Sequence, residues 1–174
     1  MAPPLTFWFD FASTYSYLAA MRIEAMAKAA GVELHWQPFT LGPIFAAQGW
    51  QSSPFNIYPA KGRAMWRDME RTAADRGLAF RPPAELSRFP QNSVAAARLA
   101  IVALDRPQGP KFCREVFRAQ FERGQDIAAA ETLADCLLRA GLPESLTTEA
   151  ESEANRPRLR AATERAVTAG IFGS

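Results

Sequence analysis

Alternation governs the first stretch of the chain. In residues 5–11, LTFWFDF, an extended backbone puts Leu5, Phe7, Phe9 and Phe11 on one side and Thr6, Trp8 and Asp10 on the other. Aromatic side chains on both sides predict a central strand covered on two faces. Over residues 14–30 the period changes. Leu18, Met21, Ala25 and Ala29 recur at spacings of three and four, which predicts a single helix stopped by Gly31. Residues 32–37, VELHWQ, alternate again, with Val32, Leu34 and Trp36 inward, Glu33, His35 and Gln37 outward, and Pro38 closing the run. One polar face marks an edge strand. Strand, helix and strand in this order form a right-handed, parallel βαβ unit.

Beyond residue 38 the two-residue period disappears. Gly42-Pro43 opens a short helix to residue 48, and residues 49–59 (GWQSSPFNIYP) read as a loop. A helix over residues 60–76 turns Met65, Trp66, Met69 and Ala73 inward and stops at Gly77. Arg81-Pro82-Pro83 and Phe89-Pro90 predict an extended connection. Further helices are predicted over residues 92–105, 110–123, 130–140, 143–153 and 157–169, with Pro110 and Pro143 in first turns and Gly170 after the last. A single βαβ unit cannot bury its own sheet. The helical stretch therefore reads as an insertion in an α/β domain whose remaining strands are expected after Gly170. The predicted division is 1–42 for the βαβ half, 43–155 for the inserted helical domain and 156–174 for a return helix opening the second half. On this reading the C-terminal strands of the sheet are absent from the chain.

Composition narrows the chemistry. At 174 residues, with 48% apolar and 22% charged side chains, the chain has a soluble, globular make-up. The 20 basic and 18 acidic residues are interspersed, so nucleic-acid binding finds no support, and Arg63, Arg67 and Arg71 read as a solvated helix face. No apolar run reaches the roughly 20 residues of a membrane span, and the opening Met1-Ala2-Pro3-Pro4 lacks the pattern of a secretion leader. Cys113 and Cys136 sit far apart in helical segments and read as small buried apolar residues in a reducing compartment, the cytoplasm. The one histidine, His35, points outward from the edge strand. Serine–histidine hydrolysis and histidine-ligated metal sites thereby lose their usual partner, and no metal is expected. Cys-x-x-Cys, GxxxxGK[ST] and GxGxxG patterns do not occur. Asp10 has only Glu24, a helix length away, as a second carboxylate, which gives no acid–base pair.

Chemistry concentrates at the first strand-to-helix junction, FDFASTYSYL from Phe9 to Leu18. A group at Ser13 meets the free amide N–H groups of the helix's first turn, which favour an anion. Serine does not ionise near neutrality, but it can donate its O–H to a thiolate carried by a cofactor. Equally, Ser13 can serve only as the helix N-cap.

This junction resembles the F-D-F-x-S-P-Y-S-Y-L signature of 2-hydroxychromene-2-carboxylate isomerases, relatives of the kappa-class glutathione transferases. The likeness continues in residues 53–63 (SPFNIYPAKGR), in Trp66-Arg67-Asp68, in residues 89–93 (FPQNS) and in residues 170–174 (GIFGS), which resemble G-[IV]-F-G-x-P-T cut before its proline. The resemblance implies an α/β, thioredoxin-like fold of the DsbA/kappa type with a large inserted all-helical domain. It implies glutathione as cofactor, with Ser13, Tyr15 and Ser174 contacting it and Ser13 assisting its thiolate. Phe55, Asn56, Lys61 and Asn92 are expected near the substrate, Lys61 to orient the carboxylate of a small aromatic acid. Turn formation for Asn56 and helix capping for Asn92 are the competing readings. In the isomerases the thiolate adds reversibly to a conjugated system, a C–C bond rotates and glutathione is expelled, so the cofactor makes the covalent bond. The resemblance also implies a homodimer working in aromatic degradation. A kappa-like transferase or peroxidase and a non-catalytic glutathione-binding module remain as alternatives. Disulfide oxidoreduction is opposed by Ser13-Thr14-Tyr15-Ser16, which holds no thiol pair. Thr14 departs from the family's proline.

Overall fold

A computed structural model of the chain describes residues 3–83 and 88–173. Strand β1 (Leu5–Phe9) pairs in parallel with β2 (Leu34–Pro38), with Leu5 opposite Leu34, Phe7 opposite Trp36 and Phe9 opposite Pro38. Both faces of β1 are covered, as its aromatics predict: Phe7 and Phe9 enter the main core, while Trp8 meets Phe39 edge-on at 6.2 Å on the opposite face. Among the described residues, however, the sheet has these two strands alone, so β1 has a pairing neighbour on one side rather than both. It also ends before Asp10 and Phe11. There the backbone turns: the Asp10 N–H donates to Ser16 Oγ at 3.3 Å, and the Asp10 carbonyl accepts from the Ser13 N–H at 3.0 Å.

The expected single helix is two, α1 (Thr14–Ala20) and α2 (Ile23–Ala30). The break at Met21-Arg22 resets the phase, so Ala27 is buried while Ala25 and Ala29 are exposed. Gly31 caps α2 in the left-handed conformation (φ 63°). After β2 come α3 (Leu41–Ala47) and α4 (Pro54–Ile57). The latter is a single turn inside the expected loop, where Ser53 Oγ accepts from the Phe55 N–H at 3.3 Å and Pro54 fills the first turn. Helix α5 (Pro59–Asp75) buries Met65, Met69 and Ala73 as predicted, and Arg63, Arg67 and Arg71 are solvent-exposed. The chain continues through α6 (Val94–Ala103), α7 (Gly109–Phe121), α8 (Ala130–Ala140), α9 (Leu146–Ala150), shorter than expected, and α10 (Arg156–Thr168).

One continuous core joins β1, α1 and α5 to α6 through α9. At its centre Phe9, Phe11 and Phe117 are wholly buried, with ring centroids of Phe11 and Phe117 4.9 Å apart and of Phe9 and Phe117 5.8 Å apart. Offset and tilted contacts of this kind add to what burial alone contributes. Tyr17 is also fully buried, its hydroxyl reaching the Ala79 carbonyl and, at 3.1 Å, Glu122 Oε1; burial and the nearby carboxylate push its phenol well up. Cys113 and Cys136 are buried and unpaired. His35 is exposed and sits 3.2 Å from Glu33 on the same strand. Among the described residues no helix is long and apolar enough to cross a membrane.

Candidate functional site

The C-terminal ends of both strands open into a cleft of about 1020 Å³. Open α/β sheets gather ligands at this edge, because the loops that leave it diverge. Three segments enclose it: the β1–α1 turn with Ser13 and Thr14, the β2–α3 junction with Thr40 and Leu41, and the stretch just before α6 with Phe89, Asn92 and Ser93. Trp50, Phe55 and Asn56, from the α3–α4 region, complete the wall.

Ser13 combines both roles proposed for it. Its backbone is extended (φ −86°, ψ 123°) and its Oγ accepts from the Ser16 N–H at 3.1 Å, which makes it the N-cap of α1. Capping uses an oxygen lone pair and leaves the hydroxyl hydrogen available at the cleft. The amides of Thr14 and Tyr15, in the first turn, have no intrahelical acceptor. Thr14 is buried and points its Oγ1 at Met65 Sδ, 3.4 Å away, so the hydroxyl that replaces the family's proline ties α1 to α5.

The two asparagines also serve two purposes each. Asn56 donates through Nδ2 to Ser52 Oγ at 3.1 Å and to the Phe89 carbonyl at 2.7 Å, which fixes the turn and leaves its carbonyl oxygen as the group without a partner among the described residues. Asn92 is the reverse: its Oδ1 accepts from the Val94 N–H at 3.0 Å, at the start of α6, and its Nδ2 donors have no partner among the described residues. Among the described residues, one cleft thus carries an acceptor and a donor without partners. Phe55 lies against Tyr15, with ring centroids 6.4 Å apart, and its carbonyl packs directly on Gly62 of α5.

Two expected site residues fall outside this cleft. The Tyr15 ring turns toward α5, its hydroxyl donating to Asp68 Oδ2 at 3.3 Å; partial burial, and then the Asp68 charge, push its phenol up. The cause is helical geometry, since two residues beyond Ser13 the side chain points roughly to the opposite side of the helix. Lys61 is exposed and folds back over the Tyr58 ring, with Nζ 4.8 Å from the centroid, a cation–π contact outside the cleft. Ser174 lies outside the described residues.

Sequence reasoning passed over Asp10. Only 3% exposed, it forms the floor of the cleft, and its carboxylate accepts from the Ala12 N–H (2.9 Å), the Leu41 N–H (2.7 Å) and the Ser93 hydroxyl (2.7 Å). Burial pushes this carboxyl above its ordinary range, against the lowering effect of the three donors. The available signal was an acidic residue at the C-terminal end of an aromatic strand, where polar groups at the sheet edge meet ligands. Among the described lining residues none carries a positive charge.

Comparison with known proteins agrees with this architecture. Residues 4–174 match the model of the DSBA-like thioredoxin domain. The chain is 26% identical over 176 residues to the 2-hydroxychromene-2-carboxylate isomerase of Sphingobium xenophagum, covering all of this chain and 87% of that protein. It is 24% identical to glutathione S-transferase kappa 1 of Caenorhabditis elegans, over 99% of this chain and 78% of the other. Its fold superposes on the solved structure of a 2-hydroxychromene-2-carboxylate isomerase with a TM-score of 0.83 at 23% identity, over 97% of this chain and 81% of that one. With a match that runs almost from end to end, and helices set around a parallel βαβ start, the chain belongs to the DsbA-like thioredoxin family.

Proposed function

We propose that the protein is a glutathione-dependent isomerase of the 2-hydroxychromene-2-carboxylate type, with Ser13 assisting the glutathione thiolate. The observation that carries this reading is the divided capacity of the Ser13 hydroxyl, whose lone pair caps the helix and whose hydrogen has no acceptor among the described residues at the cleft. When bound, glutathione would supply a sulfur nucleophile for reversible addition to a conjugated aromatic system. The chain's own residues do the rest. Ser13 and the first-turn amides of Thr14 and Tyr15 offer hydrogen bonds to an anionic sulfur. Trp50, Phe55 and Phe89 supply flat apolar walls for a planar substrate and exclude water, while Asn56 accepts and Asn92 donates at its polar edge.

A second reading, a kappa-like glutathione transferase, draws on a specific feature: the described lining offers no cation to grip a substrate carboxylate, and Lys61 is engaged elsewhere. Such a cleft suits an uncharged electrophile.

Turnover decides between them. Glutathione-dependent conversion of 2-hydroxychromene-2-carboxylate is followed by absorbance beside conjugation of an electrophilic aromatic halide. Ser13→Ala is expected to lower the active reaction about a hundredfold, the scale of losing one donor to a developing anion. Ser13→Asp keeps a good N-cap but replaces the donor with a negative charge, so it should retain stability and lose turnover. Conjugation without isomerisation selects the transferase. No reaction, but heat on titration with glutathione, would refute both and leave the non-catalytic glutathione-binding module; no reaction and no heat would refute all three.

A further inference from the structure

Asp10 is hydrogen-bonded to all three segments that enclose the cleft. Its Oδ1 accepts from the Ala12 N–H, next to Ser13, and from the Ser93 hydroxyl, next to Asn92; its Oδ2 accepts from the Leu41 N–H, where α3 begins. Its main chain holds the turn as well, through the Asp10 N–H to Ser16 Oγ and the Ser13 N–H to the Asp10 carbonyl. The donors come from positions 2, 31 and 83 residues away along the chain.

Ser93 shows that this arrangement overrides local preference. It stands at the N-cap of α6, where a serine ordinarily accepts from the helix's own first-turn amides, yet it makes no cap bond. Its hydroxyl turns inward to Asp10 at 2.7 Å, and the neighbouring Asn92 separately accepts from the Val94 N–H, the first amide of α6, at 3.0 Å. A hydrogen bond to a carboxylate is stronger than a neutral cap bond, which favours the inward turn of Ser93. The Val94 bond settles which way Asn92 faces. With its oxygen committed to the helix, its Nδ2 hydrogens are the ones left for the cleft.

We propose that Asp10 is a positioning residue: by bonding Ala12, Leu41 and Ser93 at once, it holds the Ser13 hydroxyl and the Asn92 amide donors in one fixed relation across the cleft. The inference rests on the reading of the cleft as the reaction site. Asp10 touches neither substrate nor sulfur in this scheme and acts through Ser13 and Asn92.

The test is a mutant cycle on Ser93 and Asn92, which leaves the carboxylate itself in place. In the reaction that the wild type catalyses, Ser93→Ala should lower kcat about tenfold, the scale of a small misplacement at a reacting centre. Its effect on the KM for glutathione should be small, and Ser93→Thr, which keeps the hydroxyl, should restore the rate. The double variant Asn92→Ala/Ser93→Ala should be no slower than Asn92→Ala alone, because once the amide is gone its placement no longer matters. Rate losses that multiply, or no rescue by threonine in a variant that melts like the wild type, would overturn the proposal. A readout free of activity separates this from a failure of the functional reading. In nitrogen-15 spectra, Ser93→Ala should shift the Asn92 side-chain amide and the Ser13 backbone amide, and Ser93→Thr should leave both near their wild-type positions. Unmoved resonances in Ser93→Ala would exclude a positioning role even for a protein that turns over nothing.

Discussion

A buried carboxylate held by three donors experiences two opposed effects, and at Asp10 burial outweighs them, raising the carboxyl above its ordinary 3.8. The folded protein therefore holds this proton more firmly than the unfolded chain. Asp10 contributes stability that is fully present below the ordinary value and is lost as pH rises through the raised one. Asp10→Asn should remove that segment of the profile. The difference in urea midpoint, wild type minus variant, should fall as pH climbs from about 3.8 toward neutrality. A difference that is flat or rising over this range would contradict the assignment. Ser13, by contrast, needs no ionisation to act, because its two functions use different parts of one hydroxyl.

Among the elements, α4 and α5 show how closely backbone approaches can set a cleft wall. Gly62 is buried in α5, and a Cβ there would collide with the Phe55 carbonyl of α4. Because the obstacle is backbone, Gly62→Ala is expected to destabilise by about 1–3 kcal/mol, as overpacking does, and to push Phe55 out of line. Gly42, in α3, has open space where its Cβ would stand. Gly42→Ala should therefore be neutral or stabilising by up to about 1 kcal/mol, the helix-propensity gain over glycine. Equal losses at the two glycines, measured by chemical denaturation, would show that the close approach does not matter. The interruption between α1 and α2 is a second event at this scale. The Met21 N–H returns to the Tyr17 carbonyl at 3.1 Å and the Arg22 N–H to the Ala19 carbonyl at 3.0 Å, closing α1 before α2 starts on a new face.

For the molecule as a whole, one aromatic core makes β1 and the helices a cooperative unit, and both cysteines are sealed within it. Burial pushes the Cys113 thiol far up and the Cys136 thiol up to about 12. Neither provides a thiolate at neutral pH, so a disulfide-exchange role for these two finds no chemistry here. An aromatic disulfide reagent at pH 8 should label neither cysteine in the native protein over minutes and both after denaturation. Rapid native labelling would mean that the core opens easily.

What the chain encoded on its own was whatever near neighbours settle. The two-residue and 3.6-residue periods place both strands, their parallel crossover and nearly every helix within a few residues, and the FDFASTYSYL junction puts Ser13 at the cap. The same periodicity carried the helix past Met21 and credited Ala25 and Ala29 with burial, because a repeat of three and four cannot register a change of axis. Tertiary structure alone decided how the cleft is assembled. Asp10 meets Leu41 and Ser93 across 31 and 83 residues, Asn92 gives its oxygen to α6, and Tyr15 and Lys61 turn to Asp68 and Tyr58 instead of the cleft. Local pattern is written in spacing along one element. Which donor remains free depends on partners that folding brings from elsewhere, and no spacing records them.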